Sequence, residues 1–217
     1  MKKLSTLLTL LLCLSLTASA QTWTENNHFL KSSIIGNIGK DYAKVISEST
    51  QGTDNNTGYA YMEAGFGLKP EASNYLYAQF FWEQKFWETP LFIHGEFRTT
   101  LFDGQFDNIH YLGAAYCFYT PHGFAAIEPL YRYNKHEGHG YQLSIVGGWD
   151  WERFDLAEYF DWWGNRASDF VPRSVYSETR GYFKINKRFE IGAVLILSKY
   201  FDDPVNANLF GGLKVNL

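Results

Sequence analysis

Cysteine is nearly missing from this 217-residue chain, which has only Cys13 and Cys117. Cys13 falls within a segment read below as cleaved. The chain that remains therefore has a single thiol, and no intrachain disulfide can staple it. Proline is also scarce, at 6 residues, so few strand ladders are interrupted by a missing donor. There is no basic surplus. Removing Lys2 and Lys3 from 19 basic residues leaves 17 against 23 acidic ones, a net charge of −6. That balance excludes a nucleic-acid binder, which carries clustered positive charge. Beyond residue 20 no apolar run reaches the about 20 residues of a membrane-spanning helix.

The first residues are of another kind. Met1-Lys2-Lys3 leads into an apolar stretch from Leu4 to Leu16, closed by Thr17-Ala18-Ser19-Ala20 before Gln21. A basic head, a short apolar stretch and an Ala-x-Ala ending form a secretory signal peptide. The expected organisation is a signal peptide over 1–20 and one domain over 21–217. Export places that domain in an oxidising compartment, where it must hold together by packing and hydrogen bonding alone.

What the rest does contain is aromatic residues, 18% of the chain, in segments that alternate with period two. Over 91–101, Leu91, Ile93, Gly95, Phe97, Thr99 and Leu101 share one face, while Phe92, His94, Glu96, Arg98 and Thr100 share the other. Such alternation marks a strand with two unlike surroundings. It recurs over 75–86, 124–135, 141–151, 175–185 and 207–217. A soluble barrel would turn the apolar face inward. Two features favour the inverse. The segments run to about ten residues, the length a tilted strand needs to cross a bilayer, and Phe, Tyr and Trp crowd the apolar faces near strand ends. The prediction is an all-β transmembrane antiparallel barrel in the bacterial outer membrane, of about 12 strands with 10–12 admitted, joined by short periplasmic turns.

The connections support this reading. Backward from Leu217, links at 200–206, 164–173, 134–140 and 103–107 are read as long, alternating with short ones at 186–188, 152–153, 121–123 and 87–89. This rhythm sets the C-terminus on the periplasmic side. Strands near 57–68, 41–50 and 28–38 complete twelve. The N-terminal pair fits less well, because 51–56 reads as a loop where a short turn is expected and Gly39-Lys40 leaves a very tight one.

In this arrangement the charged faces line a lumen. The candidate solute-binding residues are Glu63, Tyr77, Phe81, Glu83, Lys85, His94, Glu96, Arg98, Glu128, Arg132, Asp161, Glu178 and Arg180, with Asp150, Tyr61 and Tyr182 beside them. Opposite charges across a narrow lumen pair, so these groups make a structural lattice, a polar ladder for a passing solute, or both. Aromatic rings among them can stack on a flat solute, worth about 1–3 kcal/mol per base. The strand over 189–198 departs from the pattern, with Val194 and Ile196 where lumen polarity is expected.

Several short motifs carry a resemblance to a known family. They are Glu63 in an aromatic strand, Glu83-x-Lys85-Phe86-Trp87, Tyr111-Leu112-Gly113-Ala114, Tyr159-Phe160-Asp161-Trp162-Trp163, Ser177-Glu178 and Lys187-x-Phe189-x-Ile191-Gly192. Across roughly 41–217 the chain resembles outer-membrane proteins related to the Tsx-type nucleoside-specific channels. The resemblance implies a monomeric twelve-stranded barrel with a narrow, nucleoside-binding lumen.

Two other groupings invite chemistry. His136-Glu137-Gly138-His139 lacks the i,i+4 spacing of a helical zinc motif, and its glycine marks a turn. His110, His122 and Ser144 are the candidates for an interfacial lipid-modifying enzyme, but no spacing pairs a nucleophile with a base. The function expected is a passive channel for small polar solutes, with nucleosides the most specific candidate, not an enzyme, and with no cofactor and no metal site. Its partners are outer-membrane lipid, the solute and the barrel-assembly machinery. The alternative is a closed structural or surface-interaction barrel.

Overall fold

The computed structural model describes residues 29–53, 55–69, 73–164, 174–200 and 202–217. The signal-peptide reading over 1–20 lies outside them, as does most of the long link expected at 164–173.

Twelve strands form in chain order: β1 (Phe29–Ile38), β2 (Tyr42–Gly52), β3 (Asn56–Gly67), β4 (Tyr75–Lys85), β5 (Leu91–Phe102), β6 (Gln105–Thr120), β7 (Gly123–Asn134), β8 (Gly138–Asp150), β9 (Phe154–Gly164), β10 (Ser174–Lys184), β11 (Phe189–Lys199) and β12 (Asn206–Asn216). Each pairs antiparallel with its sequence neighbour, and β1 closes on β12 into a barrel. Closure matters because a hydrocarbon solvent offers no partner to an unpaired strand edge. The closing ladder runs from Ser33 opposite Asn216 to Ile38 opposite Gly211. The uncertain N-terminal pair is thus a true hairpin, with β1 against β2 from Phe29–Gly52 to Ile38–Ala43.

The faces divide as their chemistry requires. On β5, Phe92, His94, Glu96 and Arg98 are buried inside the barrel, whereas Ile93 is 44% exposed. On β7, Glu128, Leu130, Arg132 and Asn134 point in, and Ile127, Tyr131 and Tyr133 point out. Leu112, Ile191, Leu209 and Trp82 belong to the same outward set. Ionisable groups inside and apolar groups outside define a wall built for lipid.

Three readings of the links are corrected. The expected longer link at 103–107 is a two-residue turn, because Asp103 (φ 48°) and Gly104 (φ 81°) both take the left-handed region that a type I′ hairpin needs. The long link expected at 134–140 shrinks to 135–137. There the Asn134 side-chain oxygen accepts from the backbone N–H groups of His136 (2.7 Å) and Glu137 (3.1 Å), and Gly138 supplies φ 82°. The supposed loop at 51–56 is shorter than read, with Gln51 and Gly52 belonging to β2 and Asn56 to β3.

Candidate functional site

Inside the wall, two arginines organise the lumen. Arg98 on β5 donates to Glu96 beside it and reaches β9, where it pairs with Asp161 at 2.7 Å and bonds the Tyr159 hydroxyl. Asp161 is fully held: it also accepts from Ser144 Oγ (2.6 Å), Gln142 Nε2 (2.8 Å) and Tyr159 (2.8 Å). The guanidinium lies 4.5 Å from the Tyr111 ring centre. On the same wall His94 meets Glu83 through Nδ1 (3.0 Å) and Glu96 through Nε2 (3.2 Å), and Gln79 donates to Glu96 at 2.7 Å.

Arg180 on β10 mirrors this plan. It donates to Glu178 and crosses to β2, pairing with Glu48 at 3.0 Å, with its carbon 5.3 Å from the Tyr61 ring centre. Tyr61 donates to Glu63 at 2.6 Å, which also takes Lys44 at 2.9 Å and the Tyr75 hydroxyl. Near the end that carries the C-terminus, Lys184 and Lys214 share Asp155 at 2.8 Å each, and Lys214 reaches Glu190 at 3.3 Å. Buried charges of this kind persist only when paired and hydrogen-bonded.

The structure brings together most of the candidate residues. Glu83, His94, Glu96, Arg98 and Asp161 form one network; Glu63, Glu178 and Arg180 form the other. Tyr77 bonds Gln79 (3.2 Å) and meets Tyr61 edge-on. Phe81 stacks between Tyr59 (4.9 Å) and His94 (5.4 Å). Arg132 pairs with Glu137 at 2.6 Å. Lys85 sits at the end of β4 and joins neither network, and Glu128 faces the His94 group without bonding to it. Sequence reasoning missed Lys44, Glu48, Tyr159, Gln142 and Ser144 as members. Their parity was readable, but which strands face each other across the lumen was not.

The other groupings lie in different parts of the barrel. Within 136–139, His139 leans on Tyr131 and Tyr133 at the end of a hairpin. Ser144 is buried against Asp161, while His110 packs on the outer face between Phe97 and Tyr133. These residues do not make a nucleophile–base pair.

A closed twelve-stranded antiparallel barrel, apolar outside and ionisable within, has the fold of the outer-membrane porins. The chain is similar to the NanC porin (TM-score 0.60, 9% identity, covering 86% of this chain and 100% of that one). It is likewise similar to the KdgM porin (TM-score 0.56, 10% identity, 86% and 99%), and to KdgM in complex with disordered oligogalacturonate (TM-score 0.55, 11% identity, 86% and 99%). No protein-family model and no curated protein matches the sequence. These likenesses are of fold; the Tsx resemblance rests on the sequence motifs alone.

Proposed function

We propose that the protein is an outer-membrane channel for passive diffusion of small polar solutes. In this reading it is exported by its signal peptide and inserted as a monomer by the barrel-assembly machinery. The observation that carries it is the lining: ionisable and hydrogen-bonding side chains run from Lys44 and Glu63 at one end to Lys214 and Glu190 at the other, inside an outer wall of apolar residues. Such groups replace a solute's water as it passes, and transit needs binding weak enough to release. No energy source or catalytic group is required.

The charge pattern narrows the solute. One KdgM structure holds oligogalacturonate, a polyanion. Here each inner-wall arginine among the described residues is paired with acid: Arg98 by Glu96 and Asp161, Arg180 by Glu178 and Glu48, Arg132 by Glu137. Among the described residues no uncompensated cationic track remains for a polyanion, which favours neutral solutes. A nucleoside fits, since Tyr77 offers a ring beside the donors and acceptors of Gln79, Glu83 and Glu96. Uptake of labelled nucleoside into liposomes carrying the purified protein tests this, with galacturonate oligomers as the contrasting solute. Flux no greater than into empty liposomes removes the channel reading.

A second reading has its own support. The pairs Arg98–Asp161 and Arg180–Glu48 tie β5 to β9 and β10 to β2 across the lumen. If that lattice is permanent, the barrel is closed and structural. Single-channel recording in planar bilayers separates the two: conductance steps for the channel, silence for the closed barrel.

A further inference from the structure

We infer that Glu83, His94 and Glu128 form a binding site for one divalent transition-metal ion, of the zinc type, on the inner wall. The ligating atoms of the three all lie within 4.8 Å of one another, and all three residues are buried. Ligands of one zinc ion, at bonds of about 2.0–2.2 Å, stand roughly 3–3.5 Å apart. His94 Nδ1 and Glu83 Oε1 are already at 3.0 Å, so rotation of the Glu128 carboxylate completes the set.

The backbone builds this meeting. Glu83 and His94 are cross-strand partners on β4 and β5. Glu128 is on β7, with β6 between. On β6 the residue opposite His94 is Gly113, which in turn faces Leu130 on β7. A Cβ at Gly113 would lie 2.3 Å from the Pro129 carbonyl oxygen, so no side chain stands there. The next inward residue of β6 is Ala115, fully buried. Two small residues therefore leave the space in which an imidazole and a carboxylate from strands two apart come together.

Two further observations point to a cation. Glu128 is 5% exposed, yet among the described residues it makes no hydrogen bond and no ion pair. An acid so placed is costly when the cation facing it, His94, is already shared by Glu83 and Glu96. The second is the support behind His94. Its Nε2 faces Glu96 Oε2 at 3.2 Å, and Glu96 is itself held by Arg98 and by Gln79. A carboxylate accepting the far ring N–H orients a metal-ligating histidine and frees the near nitrogen's lone pair. On binding, the Nδ1 proton leaves to solvent, and two carboxylates with a neutral imidazole balance a dication. An imidazole ligand favours zinc-like ions over calcium or magnesium. The inference stands whether or not the barrel conducts.

The test uses the full barrel in detergent, stripped with chelator, desalted and titrated with zinc chloride by calorimetry, with bound zinc counted by elemental analysis. One zinc per chain is expected. His94→Gln and Glu128→Gln should each weaken binding at least tenfold, and Glu96→Gln about 10–100-fold through the lost support. His136→Ala with His139→Ala, and Cys117→Ser, should leave it intact. Absence of a one-to-one site in the native protein overturns the assignment, as does retention of native affinity in both H94Q and E128Q, or loss of binding in C117S. If a variant fails to fold, judged by circular dichroism, the native protein with cobalt decides. A visible spectrum of nitrogen and oxygen ligation without a thiolate charge-transfer band supports the site, and an unchanged aqueous spectrum sinks it.

Discussion

The inner wall has two halves built on opposite principles. From β4 to β9 it is dense in charge, with Glu83, His94, Glu96, Arg98 and Asp161 bonded to one another. Around the closing seam, between the Lys44–Glu63 and Lys214–Glu190 pairs, an apolar cluster from β11, β12, β1 and β2 points inward: Val194, Ile196, Phe210, Ile35 and Ile46, all 1–7% exposed and packed with Tyr61 and Tyr182. The seam ladder gives the reason. Its pairing spans only Ser33 to Ile38 on β1, whereas β1 pairs with β2 over its whole length. Fewer backbone hydrogen bonds hold the barrel shut there, and an apolar cluster inside the seam adds the missing cohesion.

The sharpest way to break this division is to remove the cation of the polar half. Arg98→Met leaves Glu96 and Asp161, 7% and 1% exposed, without their shared partner. Stranding buried charge costs about 3–5 kcal/mol. Urea unfolding followed by tryptophan fluorescence should show a loss of that size, and bilayer recordings should shift toward cation selectivity. A loss no larger than that of an exposed ion pair would mean water already fills this half, and the lattice is not structural.

Ile46→Ala probes the seam in the same way. Truncating an isoleucine that is 1% exposed leaves a cavity and costs about 2–5 kcal/mol. Stability should fall while conductance and selectivity hold at native values, since no charge moves. If selectivity changes as much as in the Arg98 variant, the seam lines the path and the two halves are one.

The division also shows what the sequence could and could not reveal. Alternation over 91–101 and 124–135 assigned both faces correctly, because each strand sees lipid on one side. Val194 and Ile196 looked like a flaw in that pattern; only closure shows Ile35, Ile46 and Phe210 facing them. The lumen residues were readable by parity, but the pairing of Arg98 with Asp161 and of Arg180 with Glu48 joins positions far apart in the chain. It depends on strand order around a closed circle, which no local pattern encodes. Link lengths misled at 103–107 because Gln105 and Phe106 look like loop beside Asp103-Gly104. The two-residue I′ turn lets β6 start at once.

A finer test separates packing from polarity within the seam. The Tyr182 hydroxyl donates to Asn37 Oδ1 at 3.2 Å, while its ring belongs to the apolar cluster. Tyr182→Phe keeps the ring and deletes the bond, so the expected loss is about 0.5–1.5 kcal/mol, the net worth of one hydrogen bond. A drop as large as that of Ile46→Ala would show that the seam depends on polar bonds after all, and would erase the contrast with β4–β9.

The smallest effect is expected outside both halves, at the rim where the 39–41 link meets residue 69. There Lys69 pairs with Asp41, their side chains 42% and 36% exposed. The ammonium holds the Asp41 carboxyl below its usual range. A lowered folded-state value means the pair contributes above the unfolded aspartate range and loses its contribution as pH falls through the folded value. Exposed pairs are screened and add little. Lys69→Ala should therefore leave the urea midpoint unchanged at physiological salt. At low salt and neutral pH a slight decrease should appear, and it should vanish in acid. A clear loss at physiological salt would place a share of the barrel's stability at its rim, and the comparison between seam and polar wall would no longer account for how the chain stays closed.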